Sequence, residues 1–442
     1  MEIVGPFLLA PLFVLLIAGV PIAFSLGLSS AFFLVLTAIP GLDLVPRPIP
    51  VLTLASEMFT GVNQFALLAL PMFVLSGELM HRFNIIDSLI GLSRLLIGWT
   101  RGGLGHVTIL ASAMFAFISG SALATAASIG PTMIPAMVRE RYPSAFAASL
   151  CAAAAMLGPI IPPSTPMIIV GSQLGISIGG MFVGGIVPGL LLAAVLMGLN
   201  AYASRRGAYG EIHRFEGVRP IVRGSVRTLP ALTVPMVLLG GIVFGVFTPT
   251  EAGAVTVFYA LFLGATYFRT LTFERIAESL RATTRVTASV LLIVATALVF
   301  NRIMTFFQIP EALLDAMLGL TSDPVVLTLI IVAFLLVVGT FMDELSNMLI
   351  LGPLLMPVCT SADGIGMHPI QYGLFLMTAI LLGLLTPPLS LLLNVVAPVG
   401  RVSIERVSLA VLPFFAAEVG VLLVMAFVPA VTMTLPRLFG FA

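Results

Sequence analysis

Residues 158 to 166 read GPIIPPSTP, with Pro162, Pro163 and Pro166 gathered around Ser164, inside an apolar stretch (144 to 176) otherwise long enough to cross a membrane as one helix. A proline in a helix interior removes a hydrogen bond and clashes with the preceding turn, at a cost of about 3 kcal/mol or more. In lipid, the carbonyls so released would find no water. A break of this kind is tolerated only where it is buried in protein or lines something polar.

Composition sets the class. Of 442 residues, 59% are hydrophobic and 9% charged, and several apolar runs reach the ~20 residues that a spanning helix needs. The chain reads as an all-α polytopic membrane protein. A net charge of +1 says nothing about an acidic partner, and two cysteines, Cys151 and Cys359, do not suggest a disulfide framework. All 20 basic residues are arginine, so there is no lysine for a P-loop or a Schiff base. The first apolar run, from Gly5, has only Glu2 before it and no basic region, and reads as a retained helix.

Full-length apolar runs occupy about 5 to 20, 22 to 39, 52 to 80, 144 to 176, 182 to 203, 229 to 247, 250 to 268, 286 to 302, 370 to 399 and 409 to 431. Two more are too short to cross. Residues 105 to 118 stop at Ser119-Gly120-Ser121, and 325 to 339 stop near Thr340, before Asp343. Half-length runs joined by a polar tip suggest re-entrant hairpins; the alternative is one continuous helix through each tip. With the N-terminus outside and both hairpins re-entrant, nearly all arginines fall on one face, which the positive-inside rule makes cytoplasmic. Arg47 and Arg437 fall in outer loops, with Arg302 near the outer end of a helix, and the Arg-rich segment 204–228 becomes a cytoplasmic connector between two halves.

The halves resemble each other. Gly158 with Pro162-Pro163 is matched by Gly383 with Pro387-Pro388 at an offset of 225, Pro188 by Pro413 at the same offset, and Gly130-Pro131 by Gly352-Pro353 at 222. The topology makes these repeats inverted, a pattern of secondary transporters, whose sites form from discontinuous helices at the repeat interface. Carbonyls freed at the two breaks suit a hard cation such as Na⁺, and half-helix N-termini suit a carboxylate. Packing kinks are the structural alternative.

The stretches SGSALATAASIGPTMIPAM, GPIIPPSTPMIIVG, GIVPGLL, FTPTEAGA and GLLTPPLS, in this order over nearly the whole chain, resemble the large membrane subunit of a tripartite ATP-independent periplasmic (TRAP) transporter. The resemblance implies an elevator-type Na⁺ symporter in the bacterial inner membrane, multi-pass, with its N-terminus periplasmic. It also implies a separate small four-helix membrane subunit and a periplasmic substrate-binding protein that delivers an organic anion, such as a C4-dicarboxylate or sialic acid. On this pattern the chain divides into scaffold helices and an arm (1–104), a transport region with the first hairpin and broken helix (105–181), and a helix with the connector (182–228). A second scaffold and arm (229–324), a second transport region (325–408) and a C-terminal helix (409–442) follow.

By the same resemblance, Ser119, Gly120, Thr125, Pro162 and Pro163 supply one Na⁺ site, and Thr340, Asp343, Thr386, Pro387 and Ser390 a second. Two or more co-transported Na⁺ ions are expected. Ser119, Ser121 and Ser164 are expected at the substrate, with Arg302, in FNRIM, as a further candidate for pairing with a substrate carboxylate. The second tip, TFMDELSN, lacks a Ser-Gly-Ser, so the two sites are expected to differ in chemistry. Residues 271–285 mix Arg275, Arg281 and Arg285 with apolar residues and fit an interfacial arm. Trp99 sits where a first-half interfacial anchor would.

Other functions are weaker. A stand-alone Na⁺/dicarboxylate symporter could share the inverted repeat and would need no binding protein. An enzyme is disfavoured by four scattered histidines and the absence of HExxH and GxSxG. A channel is a poorer fit to two hairpins meeting two broken helices.

Overall fold

The computed structural model describes residues 4–39, 49–83, 85–215, 217–386 and 390–442, and every regular element among them is helical. The chain opens with α1 (Ala10–Ile17) and α2 (Ile22–Thr37), divided at Gly19, whose φ is +80°, and Pro21. The apolar run expected at 52 to 80 is two helices, α3 (Thr53–Val62) and α4 (Ala69–Arg82). Asn63 and Gln64 leave helical geometry between them, and the 3₁₀ turn Phe65–Leu68 leads into α4. The helix α5 (Ile85–Ile97) completes this part, and Trp99 beyond it stacks edge-on against Phe215 at 5.4 Å.

Next come α6 (Gly103–Ser119) and α7 (Ala122–Arg139). They double back on each other: Thr108, near the start of α6, lies 3.7 Å from the Met137 sulfur near the end of α7. The stretch around GPIIPPSTP is three pieces, α8 (Ser144–Ala155), α9 (Leu157–Ile160) and α10 (Thr165–Leu174), and the path bends by 43° across the prolines. In α8 every residue from 147 to 155 is buried, and six of those nine are alanine. Small side chains let α7, α19 and α20 pack against this helix at close range.

The helix α11 (Ile178–Gly207) runs further than the apolar pattern indicates, so the connector is only the stretch before α12 (Val218–Val243). It is pinned by a hydrogen bond from the Gly210 amide to the Glu140 carbonyl (3.2 Å) and by the His213–Glu140 pair (2.9 Å). In α13 (Pro249–Thr266) a capping box forms at TPTEAG. Glu251 accepts from the Thr248 amide at 2.8 Å, and Thr248 Oγ1 accepts from the Glu251 amide at 3.3 Å.

The segment 271–285 continues directly into the apolar run that follows it. From Phe273 it is the first half of α14 (Phe273–Phe306), one continuous helix of 34 residues. No proline or glycine interrupts it, so helix propagation carries through the change from Arg-rich to apolar sequence. The rest of the second half comprises α15 (Ile309–Leu320), α16 (Pro324–Phe341), α17 (Glu344–Thr360), α18 (Pro369–Leu382), α19 (Leu391–Gly400), α20 (Ile404–Phe427) and α21 (Pro429–Leu438). At 18 residues α16 is longer than the half-length run expected there, and by length and composition alone it could cross a bilayer.

Buried apolar side chains form two groups: a large one around α6–α11 and α16–α20, and a smaller one where α1–α4 pack on α14. Outside, Phe24, Leu28, Phe32 and Val35 make an exposed stripe along α2, as expected of a helix whose outer solvent is lipid.

Candidate functional site

The first tip is shaped by a glycine between two serines. The helix α6 ends at Gly120, which is left-handed (φ 57°) and donates to the Ala116 carbonyl. Ser121 then turns extended and caps α7, its Oγ accepting from the Ala124 amide at 3.4 Å. Thr125, one turn on, donates to the Ser121 carbonyl (2.8 Å) and lies 3.0 Å from Ser119 Oγ. The first break presses on this tip. A Cβ on Gly120 would stand 2.8 Å from the Pro163 carbonyl oxygen, and one on Gly158 would stand 2.8 Å from Thr125 Oγ1. Pro162 and Pro163 are joined by a cis peptide bond, and buried Ser164 caps α10, accepting from the Met167 amide at 3.4 Å. Ser119, Gly120, Ser121, Thr125, Pro163 and Ser164 are therefore one contiguous cluster rich in hydroxyl and carbonyl oxygens, the ligand type a hard cation takes.

The second tip has the same construction with an acidic cap. Asp343 caps α17, accepting from the amides of Leu345 (3.1 Å) and Ser346 (3.2 Å) and from the Ser346 hydroxyl. The chain folds back here too, since Asn347 donates to the Val338 carbonyl at 3.4 Å. A Cβ on Gly383 would stand 2.2 Å from the carbonyl carbon of Gly339, so the second hairpin and second break are in backbone contact. Thr340 and Thr386 spend their hydroxyls on their own helices, bonding Leu336 (2.9 Å) and Leu382 (3.0 Å). Ser390 caps α19, accepting from the Leu393 amide at 3.2 Å and donating to the Leu384 carbonyl. Pro387 and Pro388 lie outside the described residues.

The two tips meet at one cavity of about 360 Å³. Ser119, Gly120 and Ser121 line one side, with Thr165 and Pro166 from the start of α10. Glu344 and Leu345, the first residues of α17, line another, and α4 and α14 close it with Val74, Gly77, Glu78, His81, Val286 and Val290. Three helix N-termini, those of α7, α10 and α17, thus open on the same space. Thr125, Pro163 and Ser164 stand behind the first wall. Thr340, Asp343, Thr386 and Ser390 do not line the cavity, and neither does Arg302. The Arg302 side chain is 60% exposed and pairs with Glu57 at 3.5 Å; its neighbour Asn301 ties α14 to α17 through the Leu349 carbonyl (2.8 Å).

Glu344, Glu78, His81 and Thr165 are cavity residues that sequence reasoning missed. The signal for Glu344 is the adjacent acidic pair in TFMDELSN, only one member of which can be the cap. Its Oε2 is buried without a protein partner, as is Oδ1 of Asn347. His81 Nδ1 lies 3.2 Å from Ser128 Oγ, linking α4 to α7. Arg82 beside it is held by Glu278 and, at 3.9 Å, by Glu78. Among the described residues no group of three His, Cys, Asp or Glu side chains is placed to hold a metal ion.

The fold and sequence have known counterparts. The YdaH transporter of Alcanivorax borkumensis superposes with a TM-score of 0.64 over 92% of this chain and 98% of that one, at 17% identity, a likeness of fold. The sialic acid TRAP transporter large permease protein SiaM of Vibrio cholerae is 37% identical over 425 residues, 96% of each chain. The C4-dicarboxylate TRAP transporter large permease protein DctM of Rhodobacter capsulatus is 30% identical over 97% of this chain and 98% of that one. The family model described as the tripartite ATP-independent periplasmic transporter, DctM component, matches residues 9–431. A membrane-type helical chain with paired hairpins, paired breaks and a shared central cavity therefore belongs to the DctM family of TRAP transporter large permease proteins, and is not an enzyme.

Proposed function

We propose that this chain is the substrate-translocating subunit of an Na⁺-coupled importer of organic carboxylates, working by elevator-type alternating access in the bacterial inner membrane. The observation that carries this reading is the cavity where the N-termini of α7, α10 and α17 converge. The N-termini of α7 and α10, capped by neutral serines, present a positive dipole end that favours an anion, whereas that of α17 is already met by Asp343. The hydroxyl and carbonyl oxygens of Ser119 and Ser121 in one wall, with Thr125 behind it, suit Na⁺, as do Asp343 and the breaks near Thr386 and Ser390 on the other side. The 225-residue offset is supported by contact as well as by sequence, because Gly158 and Gly383 each press on the backbone of their own hairpin. We read the two halves as inverted repeats and both hairpins as re-entrant, with the N-terminus periplasmic.

The partners in this reading are a small four-helix membrane subunit and a periplasmic binding protein that delivers the substrate. Relatives named for sialic acid and for C4-dicarboxylates support a carboxylate substrate. Import of a negative charge against an inside-negative potential costs about 2.3 kcal/mol per charge per 100 mV. Two Na⁺ therefore leave driving force for a monoanion and only cancel the electrical cost of a dianion.

The test is uptake of radiolabelled organic acids into proteoliposomes containing this chain and its small subunit. The expected result is uptake only when both the cognate binding protein and an inward Na⁺ gradient are present. Uptake without the binding protein would make the chain a stand-alone symporter, and uptake indifferent to Na⁺ would remove the coupling ion.

A further inference from the structure

A separate pocket of about 170 Å³ opens at the end of α5, where the connector meets it. Arg94, in the last turn of α5, lines it together with Gly98 and Trp99, and the connector adds His213 and Arg214. Among the described residues neither arginine has a carboxylate within ion-pairing reach, and no carboxylate lines the pocket. His213 is engaged by Glu140 at 2.9 Å, so the two guanidinium groups are the uncompensated charge here, and arginine keeps that charge in proteins. The surroundings suit a bilayer surface. Trp99 and Phe215 are both exposed and stacked edge to face, and aromatic rings of this kind settle at headgroup level. Exposed Ile212, Val218 and Val222 are interleaved with exposed Arg214, Arg219 and Arg223, a mixture that lies in an interface.

We propose that Arg94 and Arg214 form a binding site for the phosphodiester of an anionic phospholipid, held between α5 and the connector. Guanidinium forks match phosphate oxygens in geometry as well as charge. A zwitterionic headgroup would bring a cation for which the lining offers no carboxylate, and a headgroup with hydroxyls alone brings none. On the topology read above, this end of the molecule faces the cytoplasmic leaflet, whose anionic lipids collect at basic segments and in basic pockets between helices. The connector is also fastened to the end of α7, through the Gly210 amide and His213 to Glu140. A lipid bridging Arg94 and Arg214 therefore joins α5 to the base of the first hairpin and stabilises the fold at that corner.

The experiment titrates the full chain, purified in neutral detergent, with phosphatidylglycerol, phosphatidylcholine or inorganic phosphate. Native mass spectrometry reads the lipids retained per chain, and thermal unfolding reads the stabilisation. The expected result is one phosphatidylglycerol bound at least tenfold more tightly than phosphatidylcholine, with a rise in unfolding temperature, and a loss of at least tenfold in the double variant Arg94→Gln, Arg214→Gln. The control Arg219→Gln, Arg223→Gln removes the same charge outside the pocket and is expected to leave the affinity nearly unchanged. Arg214→Gln alone, a change at an exposed position, is expected to show part of the loss and keeps the test decisive should the double variant fold poorly. Equal binding of the two lipids would overturn the site. Equal losses in the two double variants would overturn it too, reducing it to diffuse attraction at a basic surface. Inorganic phosphate displacing the lipid at equal concentration would overturn the lipid as the ligand in favour of a free anion.

Discussion

Gly158 packs directly against the backbone of Ser121: a Cβ at position 158 would stand 2.6 Å from the Ser121 carbonyl oxygen. The first broken helix and the first hairpin tip are in this way one body, and the same relation recurs between Gly383 and Gly339.

Substituting either glycine should therefore damage a tip, although neither glycine itself lines the cavity. Gly158→Ala and Gly383→Ala are each expected to destabilise by about 1–3 kcal/mol through overpacking and to lower uptake at least tenfold. Thermal unfolding in detergent and initial uptake rates check this. A tolerated alanine at 383 beside a damaging one at 158 would argue against equivalent halves.

Thr125 offers the cleanest probe of the first tip, since its hydroxyl bonds both Ser121 and Ser119 while the side chain is fully buried. Thr125→Val keeps the shape and removes the oxygen. The expected outcome is a rise of fivefold or more in the Na⁺ concentration giving half-maximal uptake, with little change in maximal rate at saturating Na⁺. An unchanged Na⁺ dependence would take Thr125 out of the cation site.

Arg302 and Glu57 make a partly exposed pair, and surface pairs contribute about 0–1 kcal/mol. Arg302→Ala should leave uptake within about fivefold of wild type, the factor that 1 kcal/mol represents. A larger loss confined to the apparent substrate affinity would return Arg302 to the substrate path.

The capping box of α13 should be a matter of stability alone. Thr248→Ala removes the hydroxyl that caps the Glu251 amide, and loss of such a cap costs about 0.5–2 kcal/mol. Thermal unfolding should register that loss while uptake per folded molecule stays the same.

Much of this architecture was legible because breaks in lipid need expensive residues. Ser119-Gly120-Ser121 announced a turn, and Ser164 and Ser390 follow helix-breaking residues where caps belong. Which wall of a cavity a tip residue faces was not legible, since it depends on how two distant segments meet. Glu344 sits beside the cap Asp343, and only the turn geometry decides which of the two points inward. Arg302 was singled out for lying close to an apolar span, yet a partner 245 positions earlier, Glu57, claims it. The continuity of 271–285 with the apolar run after it was not legible for a different reason. Hydropathy falls there while helical periodicity continues, and it is periodicity that governs the backbone. Glu418 passed unnoticed in the apolar run of α20, although it is buried with neither carboxylate oxygen bonded to protein.

The length of α14 has a mechanical consequence. Glu278 near one end is tied to Arg82 of α4, and Asn301 near the other is tied to the Leu349 carbonyl of α17. At 1.5 Å per residue these anchor points are about 35 Å apart, comparable with the apolar thickness of a bilayer. The helix is thus a tie rod fastened to α4 at one end and to α17 at the other. A displacement of α17 along this rod would have to break the Asn301 bond to the Leu349 carbonyl or bend the rod with it.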